Sequence, residues 1–167
     1  GLPMDIKNVV VAGGGVLGSQ IAFQAAYKGF NVKVWLRMES SIDRAKPKFE
    51  RVEQIYLETL RAMKTKPAAY CRGLADSPEL SEAQIDELIE HAAHAMERIE
   101  FTLSHEEAAK DADLVIEAIA ENPTEKVEFY QTMAQYLPES AIIVTNSSTM
   151  LPSAFAVSTG RPEKYLA

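Results

Sequence analysis

The segment from Ile6 to Phe30, IKNVVVAGGGVLGSQIAFQAAYKGF, restricts the possible folds of this chain more than any other. A β-branched run stops at three glycines, and apolar residues with helical spacing begin near Val16. A buried strand that turns directly into a helix leaves little space at the turn. Gly13-x-Gly15-x-x-Gly18 supplies it: Gly13 for the tight turn, Gly15 for close approach of a pyrophosphate, Gly18 for helix–strand contact. The unbonded N–H groups at the helix start, around Gly15, Val16 and Leu17, together with the helix dipole, suit phosphate oxygens. Glycine spacing alone is a weak signal that a ligand-free tight turn also satisfies. Its position between strand and helix gives it weight. The helix carries Leu17, Ile21, Ala22 and Ala25 on one face, and Lys28 with Gly29 marks its end.

The same alternation continues along the chain. Strands are expected near residues 8–12, 31–36, 99–103, 113–118 and 141–145, with "EKYLA" opening one more. Between them stand a short helix opened by Ser104-His-Glu-Glu107, a helix over 125–137 and another starting near Pro152. Strand and helix in strict alternation predict an α/β, Rossmann-type doubly wound parallel sheet covered on both faces. One segment breaks the rhythm. Ile42, Ala45, Phe49, Val52, Tyr56, Leu60 and Met63 step by three or four, and Ser81-Glu-Ala-Gln84 opens a second helix bearing Ile85, Leu88, Ile89, Ala92 and Met96. A long helical hairpin of about residues 42–97 is therefore inserted between strands. It reads either as an arm over a substrate or as a longer wall over the sheet.

Composition sets the outer limits. The 167 residues form one domain, residues 1–167, and 47% hydrophobic content is ample for a core. A net charge of -7 without any run of Lys and Arg argues against nucleic acid and anionic membranes as partners. The longest apolar stretches are strand-sized, and there is no secretory signal pattern. A single cysteine, Cys71, fits a reducing, cytoplasmic setting. Gly1-Leu2-Pro3 ahead of Met4 reads as an added leader, and no metal-ligand cluster stands out.

Position 37 is unexpected. An acid normally follows the glycine fingerprint by about twenty residues and accepts from the adenosine ribose hydroxyls. Here the second strand, VKVWLR, ends in Arg37. A guanidinium matches a phosphate bidentately, so Arg37, with Ser40 and Ser41 beside it, points to NADP(H) rather than NAD(H). The alternative is a solvated strand end with the cofactor held elsewhere. Trp35 reads as core.

With VAGGGVLGSQIA, DADLVIEAIAEN followed by Lys126, and VTNSST in view, the chain resembles the NAD-binding domain of the 3-hydroxyacyl-CoA dehydrogenase family. GVLGSQIAFQAAYKGF and TGRPEKYLA look closest to its diketoreductase-like branch. The resemblance runs from about residue 5 to the last residue. It implies cofactor contacts at Ala118, Glu121 and Lys126, and a substrate- and cofactor-facing catalytic hydroxyl at Ser148, with Asn146 bracing its turn. It also implies a catalytic His–Glu pair and a dimerising, all-helical C-terminal domain, all beyond Ala167. His91, His94 and His105 do not match the catalytic position. The implied activity is hydride transfer between NAD(P)H and a 3-hydroxy/3-keto substrate, either an acyl-CoA or a small ketone or diketone. The family's cofactor habit is NAD(H), which Arg37 opposes. The family's basic and hydroxyl contacts to CoA on the helical arm fall at Glu53 and Leu60, with Arg61 and Lys64 the nearest cations. A non-catalytic nucleotide-sensing module is the alternative of another class.

Overall fold

The computed structural model describes residues 5–71, 73–119, 122–145 and 165–166. The elements are strand β1 (Asn8–Ala12), helix α1 (Val16–Tyr27), strand β2 (Asn31–Trp35), helix α2 (Glu39–Met63) and helix α3 (Glu82–His94). They are followed by β3 (Ile99–Thr102), α4 (His105–Ala109), β4 (Leu114–Glu117), α5 (Pro123–Met133), β5 (Ile142–Thr145) and β6 (Tyr165–Leu166). Every strand pairing is parallel, in the order β3-β2-β1-β4-β5-β6. Val10 of β1 stands opposite Lys33 on one side and Val115 on the other. The chain thus runs outward from β1 to β3 and returns to the other side of β1 at β4. The helix expected near Pro152 lies outside the described residues.

Both faces of the sheet are covered, which explains the continuous apolar runs of its central strands. Val9, Val11, Val32 and Val34 face one core with Phe23, Phe49 and Leu60. Val10, Ala12, Trp35, Val115 and Ile143 face the other, beneath Phe129, Tyr130 and Met133 of α5. Each large apolar side chain buried in this way contributes about 1.5–3 kcal/mol.

The buried stripe of α1 lies one position round from the expected face. Gly18, Ser19, Ala22, Phe23, Ala26 and Tyr27 are buried. Leu17 is 49% exposed, and Ile21 and Ala25 are only half-buried. The reason is close packing: the helix rests on the sheet through small residues at its start, so Phe23 rather than Leu17 becomes the core anchor. Leu17, Ile21 and Ala25 instead line a shallow apolar groove of about 410 Å³ with Leu114 and Ile116.

The helical insertion packs one face onto the core. Ala45, Phe49, Val52, Leu57, Leu60 and Met63 of α2 are buried, as are Ile85 and Ala92 of α3. Phe49 meets Phe101 of β3 edge to face at 5.1 Å between centroids. The hairpin is also tied to α1. Tyr56 donates its hydroxyl proton to Gln24 Oε1, Gln24 Nε2 donates to Gly73 O at 2.9 Å, and the Tyr27 hydroxyl donates to Leu74 O at 2.6 Å. At its far end Lys64 pairs with Asp86. Ser81 and Gln84 form the expected reciprocal cap at the start of α3.

Candidate dinucleotide site

A cleft of about 600 Å³ opens where β1, β2 and β4 end, at the point where the strand order reverses. In open parallel sheets this is where ligands bind. The glycine loop forms its floor. Gly13 donates its N–H to Trp35 O at 3.0 Å, and Ala118 donates to Ala12 O at 2.8 Å, so the three strand ends are fixed to one another.

Each glycine of the loop has a different physical cause. Gly13 has φ +111°, and a Cβ there would lie 2.5 Å from Ala118 O. At Gly18 a Cβ would lie 2.2 Å from Gly13 O, which forces the helix and loop together. A Cβ on Gly14 would meet Ala45 Cβ and Leu36 Cδ2 at 2.9 Å. Gly15 differs from all three. Its φ is -75°, open to any residue, and a Cβ there would meet nothing within 4 Å. The fold does not require glycine at this position, and its absence of a side chain leaves the backbone open on the cleft side. Gly15 is also the N-cap of α1, without a side-chain cap and with no acid in the first turn. The helix start therefore offers N–H groups and a positive dipole end to an anion.

Val16, Leu17, Arg37 and Ala118 line the cleft together with Gly13 and Gly15. Gly18 supports the loop from behind. Ser41, Arg44 and Lys48 form the wall beside Arg37, and Arg44 Nη2 donates to Ser41 Oγ at 3.0 Å. Arg44 and Lys48 lie on the same side of α2 as Ser41, three and seven residues on. Helical spacing counted from the strand end would have found them. The Arg37 guanidinium is paired with Glu125, a partner 88 positions away that no local pattern signals.

The Glu117 carboxylate, fully buried at the end of β4, accepts from Thr145 Oγ1 at 2.6 Å and from the Ile119 N–H at 2.7 Å. Lys126 Nζ stands 3.7 Å from Glu117 Oε1, and both side chains are only 1% exposed. Lys126, expected among the cofactor contacts, is thus buried beside Glu117, and Glu117 reaches the cleft lining. Glu121, Asn146 and Ser148 lie outside the described residues.

The histidines occupy positions unrelated to the glycine loop. His94 is exposed between Glu90 and Glu97; the hydrogen bond to Glu97 raises its pKa above the ordinary value. His105 stacks on Trp35 at 4.7 Å between centroids, and burial lowers its pKa. Trp35 itself is core, its Nε1 donating to Leu103 O at 3.1 Å. Among the described residues no three His, Cys, Asp or Glu side chains gather as metal ligands. No described helix is long and apolar enough to cross a membrane.

Comparison with known proteins identifies the fold's relatives. Residues 8–167 match the family described as 3-hydroxyacyl-CoA dehydrogenase, NAD binding domain. A probable 3-hydroxybutyryl-CoA dehydrogenase of Bacillus subtilis (strain 168) is 29% identical over 163 residues, covering 98% of this chain and 48% of that protein. A second, from Deinococcus radiodurans, is 30% identical over 156 residues, covering 93% of this chain and 46% of that protein. A solved diketoreductase structure superposes with a TM-score of 0.75 at 34% identity, covering 97% of this chain and 49% of that one. The chain spans about half the length of the relatives it matches. It belongs to the 3-hydroxyacyl-CoA dehydrogenase family, as that family's NAD-binding domain.

Proposed function

We propose that this chain is the cofactor-holding half of an oxidoreductase that moves a hydride between NADP(H) and a 3-hydroxy/3-keto substrate. The observation that carries the reading is the cleft itself. At one end Gly15 leaves open space beside its backbone, enough for a pyrophosphate to approach. At the other, Arg37, Ser41, Arg44 and Lys48 gather where the adenosine ribose of a dinucleotide bound on that loop falls.

The bound nicotinamide would supply the hydride chemistry. Gly13, Gly15, Val16, Leu17 and Ala118 would hold the pyrophosphate and the nucleotide backbone, and Ser41 and Arg44 would donate to the 2′-phosphate. Glu121 and Ser148 keep the roles their family positions imply, Ser148 orienting the substrate oxygen. Lys126 would act from behind the cleft, through Glu117. The proton-exchanging histidine, its glutamate and the dimer contacts belong to the half that the relatives carry beyond this length.

For the substrate, a small ketone or diketone is favoured over an acyl-CoA. The arm positions that the family uses for CoA carry Glu53 and Leu60; Leu60 is fully buried, and nearby Lys64 is paired with Asp86. The diketoreductase likeness points the same way.

Titrating the protein with NADPH and NADH, with Trp35 fluorescence or calorimetry as readout, tests the cofactor reading. A charge-assisted hydrogen bond is worth about 1.5–3 kcal/mol. Exposure and the Glu125 pair reduce this, so about tenfold tighter NADPH binding is expected, shrinking as salt rises. Arg37→Asp together with Arg44→Met should reverse the preference. Equal affinities in the unmutated protein would return the assignment to NAD(H), and no binding of either would favour a role without a dinucleotide.

A further inference from the structure

We propose that Glu125 is a specificity-determining residue: it competes with a cofactor 2′-phosphate for the Arg37 guanidinium and so limits discrimination between NADPH and NADH. The inference rests on the reading of Arg37 and its neighbours as the 2′-phosphate site.

The geometry distinguishes the two partners of this ion pair. Glu125 sits in the first turn of α5, where its own N–H donates to Asn122 Oδ1 at 3.2 Å, so its backbone position is fixed by the helix cap. Its side chain is 28% exposed, against 63% for Arg37. The carboxylate is the less exposed member of the pair and the guanidinium the more exposed one. Both line the cleft, one from the exit of β2 and the other from α5, so the pair bridges opposite walls of the nucleotide site.

Charge accounting at this end of the cleft then gives the consequence. The other lining carboxylate, Glu117, is buried and occupied by Thr145 and Ile119. Among the described residues Arg44 and Lys48 have no carboxylate within 4 Å, so they can meet a phosphate as they stand. Arg37 differs, because its Nη1 is already held by Glu125. A 2′-phosphate must share that guanidinium with the carboxylate or displace it, and the two anions repel one another. A ribose with a free 2′-hydroxyl makes no such demand, so the pair acts selectively against the phosphorylated cofactor.

The test is a double-mutant cycle on cofactor affinity in the protein, using Glu125→Gln, Arg37→Met and the combination, with melting curves to verify folding and Glu125→Ala as a second variant. Glu125→Gln should tighten NADPH by about two- to fivefold, the upper part of the range of an exposed ion pair. NADH should change by less than about 1.5-fold, and in the Arg37→Met background the gain should vanish. Equal tightening of both cofactors, no tightening, or a gain that survives without Arg37 each overturns the proposal. An unmutated protein with no NADPH preference that nonetheless gains it in Glu125→Gln would defeat the preference proposed above and leave this inference standing. A clear preference that Glu125→Gln and Glu125→Ala leave unmoved would do the opposite.

Discussion

Replacing Lys126 with Met separates a structural role from a cofactor-touching one. Methionine keeps most of the apolar stem and removes the charge, so the Glu117 carboxylate loses its cation in a site where both side chains are 1% exposed. Unit charges 3.7 Å apart attract by about 4–5 kcal/mol at an effective dielectric near 20. Part of that is offset by desolvation, and breaking one partner of a buried pair typically costs about 3–5 kcal/mol. In a domain of this size each 1 kcal/mol moves the melting temperature by about 2–4 °C, so Lys126→Met should melt about 10 °C lower. Adding Glu117→Gln should recover at least half of the loss, because the amide can still accept from Thr145 Oγ1 or the Ile119 N–H without leaving a buried charge. Thermal unfolding by circular dichroism, with a denaturant curve at one temperature, measures both steps. A melting shift below about 3 °C accompanied by lost cofactor affinity would refute the reasoning and place the amine at the ligand.

The glycines and the tyrosines give two further tests. Gly15→Val should abolish NADH and NADPH binding while moving the melting temperature by no more than about 2 °C, since the new side chain enters open space; Gly18→Ala should instead destabilise by about 1–3 kcal/mol or more through its contact with the Gly13 carbonyl, as unfolding curves will show. Burial raises the pKa of Tyr27 and of Tyr56 to about 12 from the ordinary 10, so their contribution to stability is complete below pH 10 and is lost as pH rises from 10 through 12. Denaturant midpoints at pH 8, 10 and 11 should fall accordingly, and the Tyr27→Phe/Tyr56→Phe variant should show a flatter decline.

The fold was legible because its signals are local. A strand such as NVVVA, apolar at successive positions, signals burial on both faces by itself, and a glycine turn followed by a helix start announces itself within a dozen residues. What could not be read was pairing over distance. Glu117 finds Thr145 28 positions away, and Arg37 finds Glu125 88 positions away; neither partner has a spacing that the chain displays. The α1 stripe failed for another reason. Gly18 and Ala22 were legible as contacts, but hydropathy added Leu17 and Ile21, while Phe23 and Tyr27 carry the buried face beside them. The insertion was recognised as helical, and the burial of Phe49 and Leu60 against the sheet could be known only from the packing.

The opening turns of α2 carry a consequence for how such a protein changes over generations. Ala45, Phe49 and Val52 fasten the helix to the core, while Arg44 stands exposed and Ser41 and Lys48 half-exposed between them. The two sets alternate along one rigid rod, so the polar set can be rewritten residue by residue without repacking anything beneath it. On the proposed reading, cofactor choice would be a surface trait mounted on a buried base. Substitutions at residues 37, 41, 44, 48 and 125 would then shift the preference between the two nicotinamide dinucleotides and leave the core beneath them unaltered.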